Sequence, residues 1–406
     1  MFERSPFLNC PACGISDVLG ILSAGGLRLV RRCKRCRYRV EVPLPIPDKK
    51  VIYLDQLAIS EIFKVKSKTR RPGASNEELW LDIEREVQRT FLLQQAIFPA
   101  SSIHRNETLV SPFANELTLA HEMLAGDVSL SSVNEIAMLQ TTKFAEAFIV
   151  DGRPARIDFH VDEILKGKRN EWVADMHINA NFDYSAFAES TRSHRDALAA
   201  EFIPLFDSWT DEKPTFDEVL KSELESYGTA NRGALRAAIQ RASEASQTTD
   251  VIEYFDKISH PVMEQFMRVA RIFESCGLSK EQARHKVFEF WDWTGNQQLP
   301  VHRISAYLFA ALARKISSGQ RRRPSKGMMN DFDAISCYGP YVDAMFLDNE
   351  CAQLLSERPL STDLPIKAKI FSTNSGRAFI EYLRDLQNNA SEHVRQRSAE
   401  IYGISP

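Results

Sequence analysis

Four things are missing from this sequence, and each closes off a class of function. No stretch approaches the roughly 20 consecutive apolar residues that a membrane span needs, which argues against a transmembrane protein. The opening "MFERSPFLNC" has neither the basic nor the apolar region of a secretory leader, so the expectation is a cytoplasmic protein with no membrane partner. Neither a G-x-x-x-x-G-K-[ST] loop nor a G-x-G-x-x-G turn after a strand occurs, so two common cradles for nucleotide phosphates are absent. A basic excess is missing too: 51 Lys and Arg against 54 Asp and Glu leave a net charge of −3, which argues against indiscriminate coating of nucleic acid. What remains is a globular composition, 44% hydrophobic and 26% charged over 406 residues, with enough chain for a substantial core and two or three domains.

Charge is uneven along the chain. "RLVRRCKRCRYR" at 28–39 holds no acid, and "KVKSKTRR" at 64–71 and "GQRRRPSK" at 319–326 repeat the pattern. Each alone reads as a solvated face, but three such runs near acidic candidates point to a polyanionic substrate, with Arg35, Arg37 and Arg322 as candidate phosphate contacts.

Four of the seven cysteines fall as Cys10-x2-Cys13 and Cys33-x2-Cys36, a spacing seen in zinc ribbons. Each pair puts two thiolates on one tight turn, and two such knuckles complete the tetrahedral S4 site that Zn2+ prefers. Gly14 suits the positive φ such a turn often needs. Without a leader, two disulfides are the poorer reading. Four thiolates leave no open position for water, so this zinc would be structural, holding a ribbon at 1–42 too small to stand on its own core. Cys276, Cys337 and Cys351 read as ordinary buried thiols.

Beyond the ribbon, "VEVPLPIPDK" reads as an extended linker. A strand "VIYLD" follows, then a helix from about 57, a helix over 76–95, a short apolar run "AIFPAS", and a Ser-capped helical stretch broken near Pro112. From about 126 the pattern is helical without a repeat period. After 325 alternation returns, with helix "NDFDAISCY", strand "AMFLD", helix "ECAQLLSE", strand "KIFST" and a last helix "SGRAFIEYLRDLQNN". Such alternation predicts an α/β domain with a parallel sheet flanked by helices. The sheet is split between 50–125 and 325–406, and 126–324 is a helical insertion.

In an open parallel sheet, ligands bind beyond the carboxyl ends of the strands. Asp55 closes "VIYLD", Asp348 closes "AMFLD", Asp331 opens the helix leading into that second strand, and Glu107 lies in the first turns of the helix after "AIFPAS". Four carboxylates on one rim repel one another unless cations sit among them, and hard oxygen ligands suit Mg2+ or Mn2+. Glu116 is the rival to Glu107. His104 shares a helix face with Glu107 and is a candidate to touch substrate, a structural histidine being the other reading. Asp343 lies about 17 Å down the strand from Asp348, and Asp333 points to another side of its helix. Trp291 and Trp293 could stack bases, though core is the simpler role.

The ordered set Asp55 in "YLDQ", Glu107 in "PASSIHRNE", Asp331 in "MNDFDAIS" and Asp348 in "MFLDNE" resembles a PIN-like nuclease domain across roughly 51–120 and 325–390. Leu347 stands where such domains usually carry a hydroxyl before the last acid, and the separation of Glu107 from Asp331 is long. The resemblance implies metal-dependent hydrolysis of phosphodiester bonds, RNA before DNA, with these four acids as catalytic Mg2+ or Mn2+ ligands, and with the ribbon or insertion gripping nucleic acid or docking a protein. Two other readings stay in view. One is a non-catalytic nucleic-acid-binding or adaptor protein working through its ribbon. The other is a phosphatase-type hydrolase with Asp55 as nucleophile, a class that wants a second Asp where this chain has Leu57.

Overall fold

The computed structural model describes residues 7–70, 73, 75–111, 113–125, 128–172, 185–245, 260–320 and 327–404, so Pro112 and Arg322 lie outside the described residues. Strands β1 (Leu19–Gly25), β2 (Arg28–Cys33) and β3 (Arg39–Pro43) form an antiparallel sheet in that order. After β4 (Lys50–Leu54) come α1 (Gln56–Lys66), α2 (Glu77–Leu92), β5 (Ala96–Ile97), α3 (Ser102–Leu109) and α4 (Ala114–Ala125). The middle of the chain holds β6 (Ser129–Leu130), α5 (Val133–Val150), β7 (Leu165–Lys166), α6 (Ser185–Glu212), α7 (Phe216–Glu225), α8 (Tyr227–Ala245), α9 (Pro261–Ser275), α10 (Lys280–Asp292) and α11 (Pro300–Ser317). The last part holds α12 (Met328–Tyr338), β8 (Ala344–Phe346), α13 (Asn349–Ser356), β9 (Lys369–Phe371), α14 (Gly376–Asn388) and α15 (Glu392–Tyr402).

The expected parallel sheet is there, in the order β5-β4-β8-β9 with every pair parallel. Its second and third strands come from the two ends of the long middle segment, with Leu54 opposite Phe346. β4 reads "VIYL" without a polar break because both faces are covered, as parallel sheets require. Val51, Tyr53, Met345 and Leu347 face a core completed by α11 and α12. Their alternates Ile52, Leu54, Ala344 and Phe346 face a second core built with α1, α2 and α14. Full burial of such side chains stabilises by roughly 1.5–3 kcal/mol each.

The block 126–324 divides in two. Ile304, Leu308 and Leu312 of α11, with Ile136 of α5, belong to the sheet's own core. The other side of α5, through Phe144, meets α8, α9 and α10 in a separate core around Phe273, Phe290 and Trp291, so that Trp291 is interior and cannot stack on a base.

The segment expected as an extended linker is pinned. The Trp172 indole donates to the Pro45 carbonyl at 2.7 Å, and Lys49, 1% exposed, donates from Nζ to the Glu171 carbonyl at 2.6 Å. The small sheet is likewise anchored: Leu29 and Leu44 pack with Trp172 and with Val394 and Ile401 of α15, a helix beyond the last one expected from the sequence. Arg31, buried in the middle of a basic run, pairs with Glu400 on that helix. One cation of that basic run is therefore structural.

Candidate metal centres

The cysteine cluster assembles from two similar turns. Cys10 and Cys13 sit on a turn closed by Gly14 N–H donating to the Cys10 carbonyl at 2.9 Å, and Cys33 and Cys36 on a turn where Cys33 N–H donates to the Tyr38 carbonyl at 2.8 Å. All four sulfurs lie within 4.8 Å of one another, with Cys10 to Cys36 at 3.6 Å and Cys13 to Cys33 at 3.9 Å. Four sulfurs 2.3 Å from a common tetrahedral centre are about 3.8 Å apart, so the donor set fits a closed Zn2+ site. In each turn the residue after the second cysteine is left-handed: Gly14 at φ 69° and Arg37 at φ 61°. A non-glycine residue there costs roughly 1–2 kcal/mol, which the second turn carries and the first avoids. Arg35 and Arg37 are both exposed, and the Arg35 amide donates to Cys33 Sγ at 3.3 Å.

The acidic candidates converge elsewhere, at the point where the sheet's connections diverge. From β4 the chain crosses to β5 on one side, and from β8 it crosses to β9 on the other, which makes the carboxyl ends of β4 and β8 the topological switch point of the sheet. Asp55 follows β4 directly, its N–H donating to the Phe346 carbonyl at 3.0 Å, and Asp348 lies two residues beyond β8. Both cap the helices that follow. Asp55 accepts from the Leu57 amide, and Asp348 accepts from the Cys351 amide at 2.7 Å. Capping contributes about 1 kcal/mol and asks only for Ser, Thr, Asn or Asp. It explains two acids and leaves the other two unexplained.

Asp331 comes from the first turn of α12, and Glu107 comes from α3, held by Asn330 Nδ2 donating to its Oε1 at 2.9 Å. Burial, opposed by the Leu57 amide and reinforced by Glu107 and Asp348, pushes Asp55 up to about 7. Burial with Asp55, Asp348 and Glu107 pushes Asp331 up to about 9. No basic side chain offsets either among the described residues. Asp331, Asp348 and the buried thiol of Cys351 offer ligand atoms within 4.8 Å of one another, a geometry able to hold a cation. Glu116, the rival to Glu107, is exposed and takes no part in this network. Asp333, two residues on from Asp331, is exposed.

His104 corrects an expectation. It is 2% exposed, its Nε2 donates to the Leu54 carbonyl at 2.6 Å, and its Nδ1 accepts from the Ser101 amide at 3.2 Å. Stacked on Tyr53 at 4.8 Å and held well below the usual imidazole range by burial, it stays neutral. Both ring nitrogens are taken up internally, and the ring ties the helix bearing Glu107 to the strand end bearing Asp55. Gln56 is also occupied internally, by Thr108 and His121. Cys276, expected to be buried, is exposed, whereas Cys351 is a buried thiol inside the acidic site, pushed up by burial and by Asp331 and Asp348. Its place three residues after Asp348, on the first turn of the capped helix, was the signal in the sequence. Asn330 was legible beside Asp331 in "ND".

A cleft of about 1360 Å³ opens between α3, α4, α5 and α9, and none of the four acids lines it. No helix among the described residues is long and apolar enough to cross a membrane. Comparison with protein-family models, curated proteins and solved structures gives no match.

Proposed function

We propose that the carboxyl edge of the parallel sheet is the active site of a metal-dependent nuclease of PIN-like type, hydrolysing phosphodiester bonds, RNA before DNA. The observation that carries this reading is Asp331: a largely enclosed acid that caps nothing, brought by a separate helix among Asp55, Asp348 and Glu107. Such an arrangement is stable in charged form only with cations in it. Asp55 and Asp348 would be the direct ligands for Mg2+ or Mn2+, with one carboxylate oxygen of each steadied by a helix amide. Asp331 and Glu107 complete the set or orient its waters, Asn330 fixing Glu107. A divalent ion bound there would lower the pKa of an attacking water and offset charge developing on the phosphate. At the other centre, Cys10, Cys13, Cys33 and Cys36 would hold a structural Zn2+.

Labelled single-stranded RNA and DNA, incubated with Mn2+ or Mg2+ and wild-type, Asp55→Asn or Asp348→Asn protein, test the assignment. Cutting that needs the metal and disappears in both folded variants supports it. Cutting that survives both removes the acidic edge from the chemistry, and no cutting by any sample favours the binding or adaptor reading.

A further inference from the structure

The second cysteine turn carries a cationic tip whose composition the metal site alone does not require. Arg32, Lys34, Arg35 and Arg37 are exposed, and none has an ion-pair partner among the described residues, whereas Arg31 on the same strand is paired with Glu400 and Arg39 with Glu41. Two observations go against folding convenience. Arg32 lies directly opposite Arg39 in the β2–β3 register, a like-charge pairing that sheets disfavour. Arg37 occupies the left-handed position at φ 61° that glycine fills in the first turn, at Gly14. A sequence under no pressure other than folding would place glycine at both positions and would not face two arginines across a ladder.

We infer that this tip binds the phosphate backbone of a single-stranded nucleic acid, holding substrate for the acidic edge. The inference rests on the nuclease reading for the identity of the ligand, and the binding is measurable without cleavage. A chain of net charge −3 gathers these cations at one turn and the strand end leading into it, the arrangement expected of a local phosphate clamp rather than a diffuse coat. Three arginine heads, Arg35 and Arg37 on a turn held by four thiols and Arg32 on the strand leading into it, suit successive phosphates, with the Lys34 ammonium beside them over the Phe7 ring at 3.3 Å, and nothing there reads base edges, so binding is sequence-tolerant.

The test uses the full chain carrying Asp55→Asn, so that cleavage plays no part, and fluorescence anisotropy with a labelled single-stranded RNA of mixed sequence. Arg37→Gly removes one charge while suiting the backbone, so the expected result is RNA binding weakened by about 3-fold to 10-fold with an unchanged zinc content and a thermal midpoint equal to or above the parent's. Neutralising Arg32, Lys34, Arg35 and Arg37 to Gln is expected to flatten the dependence of log K on log salt by about 0.7 for each phosphate the tip no longer neutralises. Unchanged affinity and salt slope in both variants overturn the inference. Loss of zinc from either folded variant overturns it in favour of cations that serve the thiolate charge. Binding to anionic phosphatidylserine vesicles that the substitutions abolish, with RNA binding untouched, overturns it in favour of a membrane surface.

Discussion

The two edges of the parallel sheet treat the same side chain differently. At the amino edge Asp343, just before β8, accepts the Val51 amide at 2.9 Å and lies 3.5 Å from Lys50 Nζ, so its charge is locally answered. At the carboxyl edge, Asp55 and Asp331 are pushed up by burial and by other acids. An acid at a strand end is therefore not in itself a functional signal; what matters is what stands opposite it. The amino edge uses charge to fix strands, and the carboxyl edge accumulates acids that no basic side chain among the described residues offsets.

That contrast is broken or sharpened most strongly by activity. Asp55→Asn, Asp331→Asn and Asp348→Asn should each lower metal-dependent cleavage by more than about 100-fold, while Asp343→Asn stays within about twofold, measured as initial rates on protein of matched folded fraction. Equal losses at both edges would mean that the acids act through stability.

Metal should stabilise only one edge. Mn2+ at 100 times its dissociation constant should raise wild-type stability by about 2.7 kcal/mol, read as a shift of the thermal midpoint, and the shift should vanish in Asp331→Asn and persist in Asp343→Asn.

The amino edge supplies the pH-dependent comparison. Burial of Lys49 lowers it to about 7, against an ordinary lysine near 10.4. Between these values the unfolded chain holds a proton the folded chain has released, so stability rises with pH through that window. Lys49→Met should remove that rise and increase stability at pH 7 by about 1–2 kcal/mol, followed by chemical denaturation from pH 6 to 10. A profile identical to wild type would show that the lysine is solvated.

The smallest effect expected is at the tie between α3 and β4. His104→Gln should lower kcat by about tenfold, through loosening of Glu107 against Asp55, with KM little changed. A large rise in KM instead would return His104 to the substrate.

Much of this was legible in the sequence where the coding is local. The Cys-x2-Cys pairs define their cluster by spacing alone, and β4 and β8 announce themselves as apolar runs ending near an acid. The order of the acids along alternating elements was enough to place them on one edge, because parallel strands and returning helices put those positions there. Contacts between distant segments were not legible. Nothing in a basic run marks Arg31 as the partner of Glu400, nothing in a proline-rich stretch shows Trp172 holding Pro45, and a histidine one turn from Glu107 reads the same whether it faces substrate or Leu54. α15 lies beyond the last helix expected from the sequence, and Ser391 caps it.

The most direct test of the acidic carboxyl edge is Mn2+ binding by calorimetry, on protein with zinc already in the cysteine cluster, comparing wild type with Asp55→Asn, Asp331→Asn and Asp343→Asn. One or two ions bound by wild type and Asp343→Asn, and absent from the two edge variants, is the result expected. Wild-type protein that binds no Mn2+, or edge variants that bind it as well as wild type, would contradict the account.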